Sequence, residues 1–361
     1  MIRPFTLRDF ALVRRLSEQG VPLHSESALI DNLHPLRGAL LSMVGGGNFP
    51  TFVWKSEDRS GTGFIQLLLE EDRHHAHILY LSPAVELSEN AVDGTAYGTK
   101  PDKNGDAWLS LLDQAVTEVG QHGVQSLVAE VDETGPELPV LRHAGFAVYT
   151  RQDIWVSDVA HDNSLETKEP SLRLRPYLKR DDWDIQLLYA NTVPRLVQLV
   201  EPVPPAMTGD AWVLRDERDE LSAFVHVHEG SMATWLRFFI HPNAEADAGE
   251  IVKAAFQTEK MRGKRSVYCC VRRYEGWLPA ALEMAGFRIW GSQAVLVKHT
   301  VHHTKSAAPK MAVNLENTGM PATTPYIRRY PIRTNNGSES ASQNEDIGMS
   351  SKRRRSPVSV N

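Results

Sequence analysis

With 361 residues, of which 42% are hydrophobic, 8% aromatic and 23% charged, the chain is long enough for about two domains and apolar enough for packed cores. Collagen-like and wholly disordered classes are excluded. The formal charge of −6 is uneven: from His302 onward nine Lys/Arg face four Asp/Glu, so the tail carries +5 and residues 1–301 carry −11. An acidic body repels a phosphate backbone, so nucleic acid is expected only through the tail, and a cationic small molecule suits the body better.

In chain order the pattern predicts a short strand at Ile2 to Phe5, helices near Arg8 to Glu18 and Ala28 to Met43, and strands at Thr51 to Ser56, Gly63 to Glu70 and His75 to Leu81. A long loop follows, then a helix near Ala107 to His122, a strand at Gln125 to Val131, a short helix ending at Gly145 and two final strands through Val156. The polar stretch Val159 to Pro170 reads as a linker. Beyond it the order repeats, with a central strand at Thr234 to Ile240, a helix at Ala248 to Met261, a strand at Ser266 to Val271, a helix near Trp277 to Ala285 and strands from Phe287 to His299. Gly145 and Gly286 fit left-handed positions that end helices. Residues 302–361 hold no Trp, Phe or Cys and read as a disordered basic tail, closing on the cluster Lys352 to Arg355. No apolar run approaches the ~18 residues of a membrane-spanning helix, and no leader peptide is expected, so the chain is read as soluble and cytoplasmic.

The repetition extends to residues. Arg3, Pro4, Phe5, Arg8 and Asp9 recur as Arg175, Pro176, Tyr177, Arg180 and Asp181, an interval of 172. Tyr80, Leu81, Ser82 and Pro83 match Phe239, Ile240, His241 and Pro242 at 159, and Ala144, Gly145 and Phe146 match Ala285, Gly286 and Phe287 at 141. The falling interval places deletions of 13 and 18 residues in the second copy, before and after its central strand. The reading is two copies of one α/β unit with a mixed sheet and one core each: domains 1–158 and 171–301, linker 159–170 and tail 302–361.

This order of elements, with the duplicated Arg-Pro opening, the central strands ending in Leu79 to Pro83 and Phe238 to Pro242, and the Ala-Gly-Phe endings, resembles the GNAT N-acetyltransferase superfamily in tandem. The resemblance implies transfer of an acetyl group from acetyl-CoA to a small-molecule amine, with no metal. It also implies that the backbone of Leu79, Tyr80 and Leu81, and of Phe238, Phe239 and Ile240, offers N–H groups to the thioester carbonyl. A following loop would cradle the diphosphate at a helix N-terminus. In the first copy that loop aligns as Asp102, Gly105 and Ala107, with Lys100 and Lys103 nearby; in the second it aligns as Asn243, Ala246 and Ala248, with Glu245 and Asp247 inside it. Carboxylates there oppose a diphosphate, so the first copy is the expected donor site. The family's thiolate-protonating Tyr is replaced by Leu141 and Leu282. Glu130 and Asp132, on one face of a strand beside the central one, are the expected catalytic bases. The alternative is a catalytically inactive GNAT-fold binding or scaffold protein.

Other constellations read as structural. His74, His75 and His77 lack the further ligands of a metal site, and Gly45 to Gly47 lacks the Lys-Ser/Thr ending of a phosphate loop. Tyr268 and Tyr274 read as packing residues, His226 and His228 as strand residues without chemistry, and Cys269 and Cys270 as buried neighbours on opposite strand faces.

Overall fold

Matching ion pairs open the two halves of the chain. Arg3 forks onto Asp9 at 2.5 and 2.6 Å, and Arg175 onto Asp181 at 2.8 and 2.7 Å. Each carboxylate also accepts the backbone N–H three residues before it, from Thr6 and Leu178, and so starts a helical turn. The computed structural model describes residues 2–45, 48–56, 61–69, 74–85, 103–157, 171–205, 210–258 and 265–300. The expected linker 159–170, most of the long loop with Lys100 and Asp102, and the tail 302–361 lie outside the described residues. Residues 2–157 are called the first half below, and 171–300 the second.

The first half runs β1 (Ile2–Pro4), α1 (Phe10–Leu16), β2 (Val21–Pro22), α2 (Ser25–Ile30), α3 (Pro35–Gly45), β3 (Thr51–Lys55), β4 (Thr62–Leu69), β5 (His75–Ser82), α4 (Lys103–Gln121), β6 (Ser126–Asp132), α5 (Glu137–His143) and β7 (Ala147–Ser157). The helix expected from Ala28 to Met43 is two helices. Asp31 turns extended, with φ −118° and ψ 153°, and Pro35, lacking an N–H, restarts the spiral where that donor is not needed. The second half runs β8 (Arg175–Pro176), α6 (Asp182–Thr192), α7 (Arg195–Gln198), β9 (Ala211–Arg215), β10 (Leu221–Glu229), β11 (Thr234–Ile240), α8 (Ala248–Phe256), β12 (Val267–Arg272), α9 (Leu278–Met284) and β13 (Arg288–His299).

The described strands form one mixed sheet in the order β1-β3-β4-β5-β6-β13-β7-β12-β11-β10-β9-β8, with β2 added beside β5. In each half three strands run as an antiparallel meander, and the last of them turns to a parallel neighbour, β5 to β6 and β11 to β12. Where the sequence predicts two closing strands per copy, each half ends in a single long strand that crosses into the other half. β13 pairs with β6, β7 pairs with β12, and the two pair with each other. Each carries one extra residue in that mutual ladder, Tyr149 and Trp290, again 141 positions apart.

The exchange changes the cores. The first-half core under α4 and α5 includes Ala294 and Leu296 from β13, and the second-half core under α8 and α9 includes Trp155 from β7. The core of each copy is completed by the other copy's last strand. On the opposite face α1 and α3 cover the first half, and α6 and α7 the second. Gly145 and Gly286 take φ of +86° and +82°, the left-handed positions expected at the ends of α5 and α9.

Candidate active site

In both halves the parallel ladder stops after three rungs and the strands then part. β5 leaves β6 after His77 and Val128, and β11 leaves β12 after Leu236 and Cys269. What lies in the two gaps differs. In the first, the chain itself enters: Val21 and Pro22 pair with Leu81 and Tyr80, the Leu23 N–H donates to the Leu79 carbonyl at 3.0 Å, and the Leu23 carbonyl accepts from the Glu130 N–H at 2.8 Å. The backbone that the resemblance assigned to a thioester, Leu79 to Leu81, is thereby paired on both edges. Gly20 permits this, because a Cβ there would overlap the Tyr80 ring and the Leu81 carbonyl.

Among the described residues no such strand enters the second gap. α6 continues about a turn further than α1, to Thr192, and Pro194 leads straight into α7. The His241 N–H donates to Ser222 on the β10 side and the Thr234 N–H to Ser266 on the β12 side. Strand alternation then turns the N–H groups of Phe238 and Ile240 away from β10, into the gap. The Phe239 ring points to the α6 face, stacked on Phe224 at 5.6 Å. A cavity of about 110 Å³ opens here, lined by Ile240 and Phe239 of β11, Asn191 and Thr192 of α6, Glu245, and the turn after β12 with Tyr274, Glu275 and Trp277.

Charged groups sit around this cavity. Glu201, just past α7, takes Arg237 of β11 on one oxygen and Arg272 of β12 on the other, the latter at 2.6 Å, so it ties the parted strands together. Burial alone would raise its carboxyl, but the two guanidinium groups hold it at about 2. Glu275 accepts the Arg272 N–H at 2.8 Å and is 8% exposed; burial outweighs the pull of Arg237 and pushes its carboxyl up to about 7. The buried Tyr274 hydroxyl has no hydrogen-bond partner among the described residues. At the cavity's rim, residues Pro242–Asp247 form a 3-10 turn leading into α8.

Neither sequence-predicted base lines the cavity. The Glu130 carboxylate accepts the Ser25 N–H at 2.8 Å in the first half. Burial opposes its charge, yet His24, Arg272 and that N–H hold it below the ordinary carboxylate range. Asp132 is lowered by the Thr134 hydroxyl and N–H, at 2.6 and 2.7 Å, in a turn. Gly105 and Ala107 are both buried in the first turns of α4. Leu141 and Leu282 are fully buried in the two cores.

No family model matches the sequence, and no curated protein does. Solved structures do match. A GCN5-related N-acetyltransferase from Sphaerobacter thermophilus aligns over 83% of this chain and 95% of its own, with a TM-score of 0.51 at 11% identity. The GCN5-related glucosamine N-acetyltransferase region of a fungal multi-domain GH3 β-N-acetylglucosaminidase aligns over 82% of this chain and 38% of that one, also at 0.51, with 12% identity. The chain has the GNAT fold. The two backbone segments that the sequence resemblance assigns to a thioester, Leu79 to Leu81 and Phe238 to Ile240, both lie beyond the point where the parallel ladders end.

The sequence pattern points to the central strands and gives no sign of Glu275, Glu201 or Arg237, and it reads Tyr274 as packing. Glu275 carries no motif; its only signal is a carboxylate a few residues past the strand beside the central one. Among the described residues no group of three His, Cys, Asp or Glu is placed to hold a metal ion. His75 bonds the Ser126 hydroxyl at 2.8 Å, and His77 packs on His24 with ring centroids 4.5 Å apart. No described helix is long and apolar enough to cross a membrane.

Proposed function

We propose that the protein is an N-acyltransferase that moves an acyl group from a thioester to a small amine at the gap between β11 and β12. Residues 1–158 and 171–301 are its two domains, working in the cytoplasm, and the first serves as a scaffold. The observation that carries this reading is that Ile240, on the edge of β11 that turns into the gap, and the buried Glu275 line one cavity. In the first half the corresponding edge is already spent on Val21 and Leu23.

The chemistry assigned to these groups is simple. The amine nitrogen bonds to the thioester carbon, and negative charge growing on the carbonyl oxygen meets the N–H groups of Phe238 and Ile240. The proton lost by the amine goes to the Glu275 carboxylate. Collapse breaks the C–S bond, its electron pair leaves on sulfur, and the proton returns from Glu275 to the thiolate, giving amide and thiol. A carboxyl near 7 both accepts and releases a proton at neutral pH. The Tyr274 hydroxyl, kept protonated by burial, is a free donor for orienting the substrate. Acetyl-CoA is the donor the fold implies; its thioester end fits this edge, but the acidic turn at α8 does not fit its diphosphate.

Thiol release from an acetyl thioester, measured against a panel of primary amines, tests the reading. Amine-dependent release that is lost in Glu275→Gln supports it. No release with any thioester and any amine ends it and leaves the catalytically inactive scaffold reading.

A further inference from the structure

Where a nucleotide diphosphate would meet the chain, at the entrance to α8, the charge has the wrong sign. Glu245 lines the cavity, Asp247 stands at the N-cap position of α8 without a side-chain capping bond, and Glu250 lies in its first turn. Three of the backbone donors at this helix start are already occupied: Asn243 N–H bonds the His241 ring at 3.2 Å, Ala244 N–H bonds the His241 carbonyl at 2.8 Å, and Ala248 N–H bonds the Glu245 carbonyl. Among the described residues no Lys or Arg lines the cavity, and the one cation on α8, Lys253, is paired with Glu250 at 2.8 Å. The inner end offers the opposite: the backbone donors of Phe238 and Ile240 and an unpaired Tyr274 hydroxyl, all suited to a neutral carbonyl group.

We infer that the acyl donor of this site is a short, uncharged thioester of the acyl-cysteamine type, held by its carbonyl end, with no diphosphate anchored on α8. This deepens the acyl-transfer reading and rests on it. Binding energy from a remote part of a donor speeds the reaction only if the protein grips that part. Here the nucleotide end meets carboxylates.

The test compares S-acetyl-N-acetylcysteamine with acetyl-CoA on the full chain, by thiol release with a panel of primary amines and by thermal shift. The expected result is a kcat/KM for the two donors within about tenfold of each other, with the acetyl-CoA rate rising as salt screens the carboxylates. The paired substitution E245K/D247K should raise the ratio of kcat/KM for acetyl-CoA to that for the short thioester by about tenfold or more. A preference for acetyl-CoA beyond about a hundredfold, with E245K/D247K lowering it or leaving it unchanged, overturns the inference while acyl transfer stands. Turnover of neither donor, with no thermal shift from either, overturns both.

Discussion

Gln152 of β7 donates to Gln293 of β13 at 2.9 Å, on the rung where the two strands pair. The two residues stand 141 positions apart, the interval that separates Gly145 from Gly286, so equivalent residues of the repeat meet across its axis. From this point polar contacts run both ways. The Gln293 oxygen accepts from the Ser25 hydroxyl at 2.7 Å, toward the first half, and the Gln152 oxygen accepts from Arg272, toward Glu201 and the second gap.

Gln152 is fully buried, and its removal leaves one buried Arg272 N–H group without its acceptor, while Arg272 keeps Glu201 and Gln293 keeps Ser25. Gln152→Ala should therefore cost about 2–3 kcal/mol, since buried donors left without acceptors bear the full desolvation penalty. Gln293→Ala, which strands no charge, should cost less. Urea unfolding of both variants checks the order.

Glu275→Gln should abolish the part of the kcat/KM profile that rises with pH through about 7 and lower the plateau by about a hundredfold. The same carboxyl also affects stability. Its folded-state value lies above the ordinary one of 4.5, so its contribution is complete below about 4.5 and is lost as pH rises through about 7. Glu275→Gln should thus raise Tm relative to wild type at pH 8 and not at pH 4.5.

Glu130 should behave differently. Its carboxylate holds the Ser25 N–H at the start of α2, directly after the segment that fills the first gap, and faces His24 and Arg272. Glu130→Ala should lower stability by about 2–4 kcal/mol, because one member of a buried charged cluster is removed. The pH profile of thiol release should keep its wild-type midpoint. A shifted midpoint with unchanged Tm would return Glu130 to the role of base.

The two opening ion pairs should differ in strength. Asp181 receives Arg175, Arg215 and the Leu178 N–H, whereas Asp9 has Arg3, Thr6 and a longer contact to Lys55 at 3.6 Å. Asp181→Ala should cost about 3–4 kcal/mol and Asp9→Ala about 2–3. The Asp9 carboxyl sits at about 2, with burial opposed by Arg3 and Thr6, so its stabilisation is present above pH 3.8 and disappears as pH falls through about 2. Acid titration of Tm in wild type and Asp9→Asn reads this directly.

Much of the architecture is local chemistry and could be read from residues. Alternating apolar runs gave the meanders, Gly145 and Gly286 gave the helix ends, and Arg-Pro with a following Asp gave the opening turn twice. Glu275 was not legible, because nothing around it in the chain announces that it will be buried beside the parted strands. By itself the sequence determined the elements and their repetition, since helix and strand periodicity depend on near neighbours. The tertiary structure decided which half keeps an open gap and which strands close which core. A filling segment such as Val21 to Leu23, or a strand crossing such as β13 onto β6, is fixed by pairing between residues 58 to 173 positions apart, which no local pattern records.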